Sequence, residues 1–407
     1  MEIINTIIGL GASVMMPIIF FVVGLIFRMG IGKSFKAGMT VGVGFVGVNM
    51  VINLLLDNLG PASKAMVNRL GLHLTTVDVG WPTASTVGWG TPIMVATVVG
   101  FLVINAIMVF CKLTKTIDVD IFNYWIFLQV GALVYAVTSN FWFAVIFTWV
   151  IFAIVLKVAD LTAPYIQKEY NLEGISFPHL AGLAWSPLAI AVNWIIDKIP
   201  GLKNVDFNAD KIRKRFGAIG EPVVIGFILG LLIGVLAGYS PDKSVTLAIN
   251  IAAAMVLLPK MIDVLIEGLI SVRDAAEKQL KIWFPNREFY IGMDTALLIP
   301  ITILLAFILP GNEMLPFADL ASLVFILALV TPFVRRNMFK MLIVGTLSVI
   351  IILYVGTDIA PWVTQSFTQS NIDLPKDFTA VTNMTGAVST WIGWVAVKIG
   401  ELFNMIA

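Results

Sequence analysis

Apolar runs long enough to cross a bilayer as helices recur along the whole chain. They fall near residues 7–27, 36–56, 91–111, 119–138 and 142–159, and again near 219–238, 244–268, 289–310, 318–334 and 341–357. Within ~30 Å of hydrocarbon no water satisfies the backbone, so only helices or a closed barrel can span. Barrel strands would alternate with a period of two, and these runs do not. The expected fold class is therefore an all-α polytopic membrane protein with about ten transmembrane helices. Composition agrees, with 59% hydrophobic and only 13% charged residues; a soluble domain is about a quarter charged. A net charge of +1 leaves no electrostatic footprint for nucleic acid. The single cysteine, Cys111, excludes an internal disulfide and any multi-cysteine metal site. The first run lacks a basic flank and a small-residue cleavage site, so it is expected to be a retained span.

Two further apolar stretches, 174–197 and 378–402, are interrupted by Gly, Pro and polar residues. At ~1.5 Å per residue each limb reaches about half the bilayer, which predicts two re-entrant hairpins. Irregular backbone at that depth is tolerated only where it packs in protein or lines a wet cavity. The chain also repeats itself. "KSFKAGMTVGVGFVGVNMVINLLLDNL" begins at Lys33 and "KSVTLAINIAAAMVLLPKMIDVLIEGL" at Lys243, an offset of 210 that aligns Asn53 with Asp263 and Asp57 with Glu267. At nearly that offset the two interrupted stretches correspond. The halves are read as 1–215, closing with a basic linker over 198–215, and 216–407.

Basic residues give the direction. With the N-terminus outside, only Lys64, Arg69, Lys243 and Lys376 lie outside, while the cluster Lys198 to Arg215 lies inside. Lys33 is then inside and Lys243 outside, so the repeat is inverted. Inverted repeats with broken helices near the midplane mark secondary-transporter architecture.

Polar residues at membrane depth are costly, which makes each a candidate for function. Glu173 and His179 flank the first interrupted stretch, beside Gly174 and Pro178. "DVGWPTASTVGWGTP" offers Asp78, Pro82 and Ser85, with Trp81 placed to stack on a sugar ring. Its counterpart "YIGMDTALL" aligns Pro82 with Asp294. Glu221 at the start of a span suits the helix dipole as well as a site. Gln129 and Asn123 are polar members of the fourth span, and the second interrupted stretch supplies Thr382, Asn383 and Thr385. Groups that both donate and accept suit a polyhydroxy ligand. No metal is expected, because no second His or Cys stands at ligand spacing. No catalytic nucleophile is expected either, and no cofactor.

Several segments in order, "VDVGWP", "LEGISFPH", "FGAIGEPVVIGF", "IGMDTALL" and "LPGNEMLPFADLA", resemble the galactitol-type membrane component (enzyme IIC) of the bacterial phosphotransferase system, in the ascorbate–galactitol superfamily. The resemblance runs from about residue 10 to 360. It implies a homodimeric sugar or polyol permease of the bacterial inner membrane, with dimerising and core domains interleaved across both halves and an elevator motion of the core. It also implies a cytosolic phosphorylated IIB partner, with IIA upstream, and contact with membrane lipid. Carried over by motif, Glu173, His179, Asp294, Asp78, Trp81 and Pro82 surround substrate, and Glu221 supports it. The chain departs from the pattern after Asp294: residues 80–110 correspond to the shorter 292–310. That shortening motivates an alternative, a transport-impaired paralogue acting as sensor or surface receptor, or an uncoupled polyol facilitator.

Overall fold

In the computed structural model, residues 12–71, 74–118, 124–170, 174–205, 222–283, 290–292, 309–315, 329–370, 372 and 380–406 are described. These residues are mostly helical, as hydrocarbon solvation requires. The first group of helices comprises α1 (Ala12–Ile26) and α2 (Ile31–Leu70). The chain continues through β1 (Thr76–Asp78), α3 (Gly80–Gly90), α4 (Met94–Phe110), β2 (Thr116–Ile117), α5 (Tyr124–Thr138), α6 (Phe141–Tyr170), β3 (Ile175–Ser176), α7 (Leu180–Leu183) and α8 (Ser186–Lys198). The second half holds α9 (Pro222–Leu236), α10 (Pro241–Trp283), β4 (Tyr290–Gly292), β5 (Met314–Leu315), α11 (Met338–Asp358), α12 (Ala360–Gln369), β6 (Ala380–Thr382) and α13 (Trp391–Ile406).

Among the described residues, Phe141–Tyr170, Leu180–Lys198 and Met338–Asp358 are each long and apolar enough to cross a membrane. Helices α3 and α4 form a further pair, bent by 88°. The expected runs 36–56 and 244–268 are the N-terminal parts of far longer helices of 40 and 43 residues. At 1.5 Å per residue these reach about 60 Å, twice the hydrocarbon thickness. Most of the runs expected at 289–310 and 318–334 lies outside the described residues.

Helices α1, α2, α9 and α10 pack on one another. The long pair α2 and α10 is antiparallel: Gly268 meets Val41, Gly47 meets Met261, and Asn250 Nδ2 donates to Asn58 Oδ1 at 2.6 Å. Helix α9 approaches α10 closely because small residues recur every fourth position. Methyl groups added at Gly226, Gly230 and Gly234 would stand 2.7 Å from Ala252 Cα, 2.5 Å from Ala248 Cα and 2.8 Å from Ser244 Cβ. In lipid, where apolar burial drives little, such backbone proximity holds helices together. Gly230→Leu is therefore expected to destabilise the protein by about 1–3 kcal/mol through overpacking. A thermal melt in detergent checks this, and an unchanged midpoint would contradict the packing.

The remaining helices gather around α5, whose residues 124–134 are all buried. Phe101 of α4 stacks on Phe152 of α6 at 4.3 Å, and Tyr124 and Phe127 meet both rings edge-on. A helix apolar on all sides belongs in such a centre. Gln129, 1% exposed, stands inside it.

Two small parallel sheets are set into this group, and each draws on both halves of the chain. In one, β1 lies between β5 and β6; in the other, β4 lies between β2 and β3. The interrupted stretches feed these sheets. Residues 174–197 are a strand, an extended segment and one helical path, not two helical limbs, and 380–402 repeat that design. The reason is local. Gly174 sits at φ +75°, and Pro178 has no N–H for a helical ladder, so helix begins only after His179.

Candidate functional site

The first sheet is locked by a carboxylate. Asp78 pairs with Thr382 across the β1–β6 ladder and is fully buried. Its Oδ1 accepts from Gly80 N at 3.1 Å and from Met384 N at 3.2 Å. Val79 N donates to Thr382 O at 2.9 Å. Asp78 thus ties the start of α3 to the chain leaving β6. In the second sheet Gly292 pairs with Ser176. Two residues beyond Ser176 stands Pro178, which has no N–H to offer, so acceptor and donor are both missing there.

Beyond Thr382 the chain turns through buried Asn383, Thr385, Ser389 and Thr390 into α13. Ser389 Oγ donates to Asn383 O at 2.5 Å and lies 3.0 Å from Thr382 Oγ1. Asn383 Oδ1 accepts from Gln129 Nε2 at 2.9 Å. Gln129 Oε1 faces the same turn, is buried, and accepts no hydrogen bond from any described residue. Gly386 permits this close packing: a methyl on it would stand 2.6 Å from Gln129 Oε1 and clash with Asn383 Oδ1. A buried amide oxygen without a partner is a candidate acceptor for a ligand hydroxyl.

Aromatic surface lies one turn along α5. Trp125 is 4% exposed, and its Nε1 also lacks a described hydrogen-bond partner. Its ring is 6.4 Å from that of Trp81 and tilted by 30° to it. Trp125 and Gln129, spaced i and i+4, share one face of α5, presenting a donor and an acceptor. The sequence reading passed over Trp125. The signal was its place four residues before the only side-chain amide in α5.

His179 caps α7, accepting from Gly182 N through Nδ1 at 3.0 Å. A neutral imidazole that accepts at Nδ1 carries its proton on Nε2. Helix α7 packs against α5 and the 387–389 turn, which brings His179's element to the same junction. Ser85, 3% exposed, and Pro82 belong to α3, which also packs against α5. Glu173, Asp294, Glu221 and Asn123 lie outside the described residues.

Other polar residues missed in the sequence are structural anchors. Asp160 Oδ1 accepts from Thr116 Oγ1 at 2.8 Å and from Thr116 N at 3.1 Å, and Thr116 Oγ1 lies 2.9 Å from Ser176 Oγ. Asn105 brackets the same strand, donating to Thr116 O and accepting from Asp118 N. Lys340, 3% exposed, is held by Asp197 at 2.5 Å and Asn193 at 2.7 Å. Among the described residues no three His, Cys, Asp or Glu side chains converge for a metal.

Comparison with known proteins agrees with an integral membrane carrier. The sequence model of the EIIC-GAT family, described as the PTS system sugar-specific permease component, matches residues 6–377. The chain is 36% identical over 404 residues to the PTS system galactitol-specific EIIC component of Escherichia coli (strain K12), covering 96% of this chain and 90% of the relative. The same identity and coverage hold for its namesake in Escherichia coli O157:H7. A further K12 relative, provisionally named permease IIC component, is 38% identical over 98% of this chain and 93% of its own length. The chain belongs to the EIIC-GAT family of sugar-specific permease components of the phosphotransferase system.

Proposed function

We propose that the chain carries galactitol or a closely related polyol inward across the bacterial cytoplasmic membrane, where a phosphorylated IIB component, supplied by IIA, phosphorylates it. The galactitol specificity named for two relatives supports the substrate class. The observation that carries the site is the open, buried Gln129 Oε1 held against Asn383 and Gly386. In this reading Gln129 and Trp125 meet ligand hydroxyls, Trp81 and Trp125 supply ring faces, and His179, Ser85, Glu173 and Asp294 complete the wall. Asp78 and Asn383 hold the broken backbone in place, Pro82 starts its helix, and Glu221 and Asn123 are supporting residues.

The carrier works as an inverted repeat with its N-terminus outside. The exchange of strands between halves supports this, since each sheet has a central strand from one half and flanking strands from the other. The turns at 27–34 and 237–244 also make the same backbone hydrogen bonds at an offset of 210. The strand registers favour matching Asp78 with Gly292, two residues from the alignment read in sequence. Two packing groups, each built from both halves, suit a homodimer whose core moves as an elevator against the long helices.

Titration calorimetry with the purified protein tests the site. Galactitol is expected to bind the parent, and Gly386→Ala to weaken it at least about tenfold, because the added methyl displaces the Gln129–Asn383 pair. Equal affinity in the variant would place the polyol elsewhere.

A further inference from the structure

The four-helix group has two comparable ends, and they are finished differently. At one, the turn between α9 and α10 meets the C-terminal part of α2. Arg69 reaches across it, donating from Nη1 to Val235 O at 2.9 Å and lying against Gly238. At the other, the turn between α1 and α2 meets the C-terminal part of α10. The backbone hydrogen bonds of the two turns correspond at an offset of 210. By that offset Gln279 takes the place of Arg69, and Arg28 the place of Gly238. Among the described residues, no side chain bridges this end as Arg69 bridges the other. It holds a cavity of about 620 Å³.

Arg28, Lys33, Lys36 and Lys278 line that cavity, against the carboxylates Glu267 and Asp274. None of the four cations forms an ion pair with a described residue. Gln279 is 6% exposed, lines the cavity and makes no hydrogen bond among the described residues. Its amide opens onto the cavity, where it can bond to whatever enters. The adjacent N-terminus of α2 has no side-chain cap, so its first N–H groups and helix dipole favour an anion there. Arg28 adopts φ +56°, a conformation that glycine fills at the other end at φ +75°. The chain thus keeps a guanidinium where a glycine would be less strained.

We propose that this cleft is an anion site, separate from the polyol junction, that takes a phosphate group. The cations and the α2 N–H groups hold its oxygens, and the Gln279 amide donates from below. The phosphate is either that of an anionic phospholipid headgroup or that of a soluble ion or ester.

Two probes distinguish these sources. Protein in neutral detergent is melted with rising inorganic phosphate, with chloride at matched ionic strength as control. In parallel it is melted in nanodiscs of phosphatidylcholine, alone or mixed with phosphatidylglycerol. A saturable rise in Tm with phosphate identifies a soluble anion, and a rise with phosphatidylglycerol alone identifies a lipid headgroup. Lys36→Gln should weaken the response roughly tenfold, the loss of one charge-assisted contact. Gln279→Arg, which supplies the guanidinium that Arg69 provides at the other end, should abolish the response while Tm stays at or above that of the parent. Absence of any response in the parent, or an unchanged response in both variants, overturns the proposal.

Discussion

Gln129→Leu is expected to lower polyol uptake by about 10- to 100-fold while the protein folds and inserts normally. Leucine keeps most of the volume at the centre of α5 but removes the open Oε1 and the Nε2 that holds Asn383 at 2.9 Å. A neutral hydrogen bond contributes about 1 kcal/mol net, and a buried partner left unsatisfied costs more, so both losses act on binding. A site built to hydrogen-bond a hydroxyl discriminates strongly when that bond fails. Asn383 Oδ1 loses this donor while the unpaired Oε1 is removed with it, so the melting temperature should fall by no more than a few degrees. Uptake of labelled polyol beside a thermal melt makes the comparison. Unaltered uptake would remove Gln129 from the site.

Asp78→Ala is expected to cost on the order of 3–5 kcal/mol of stability, enough to prevent recovery of folded protein. The carboxylate is fully buried and accepts two backbone N–H groups, from Gly80 and Met384. Each would lose its acceptor, at about 1–3 kcal/mol apiece. Asp78→Asn retains an acceptor oxygen and should restore folding, which separates hydrogen bonding from charge. The second sheet shows the same logic from the other side: Gly292 stands where the acceptor would be, and Pro178 where the donor would be. Size-exclusion recovery and Tm of the two variants decide the matter. A stable Asp78→Ala protein would contradict the role assigned to the carboxylate.

Class was legible in sequence because it rests on a long pattern. Apolar runs identify a membrane chain, and the offset of 210 is visible from Lys33 and Lys243 onward. The length of α2 and α10 was not legible. Their outer turns are charged and leave the apolar run, although the helix continues to Leu70 and Trp283. The strands were also hidden, since each has only two or three residues and pairs with segments about 115 to 305 positions away. The interrupted stretches therefore read as helical hairpins, when Gly174 and Pro178 in fact set up an extended entry. Gln129 and Asn383 were picked out as isolated polar residues, and only the fold joins them across 254 positions. Trp125 stayed unnoticed because an indole within an apolar run looks like ordinary core.

The most direct test of the account is uptake of labelled galactitol into membrane vesicles carrying this protein, with and without the phosphorylated IIB component. The account predicts that galactitol phosphate accumulates inside only when IIB is present, and that Gln129→Leu suppresses it. Equal accumulation of unphosphorylated galactitol with or without IIB would contradict it.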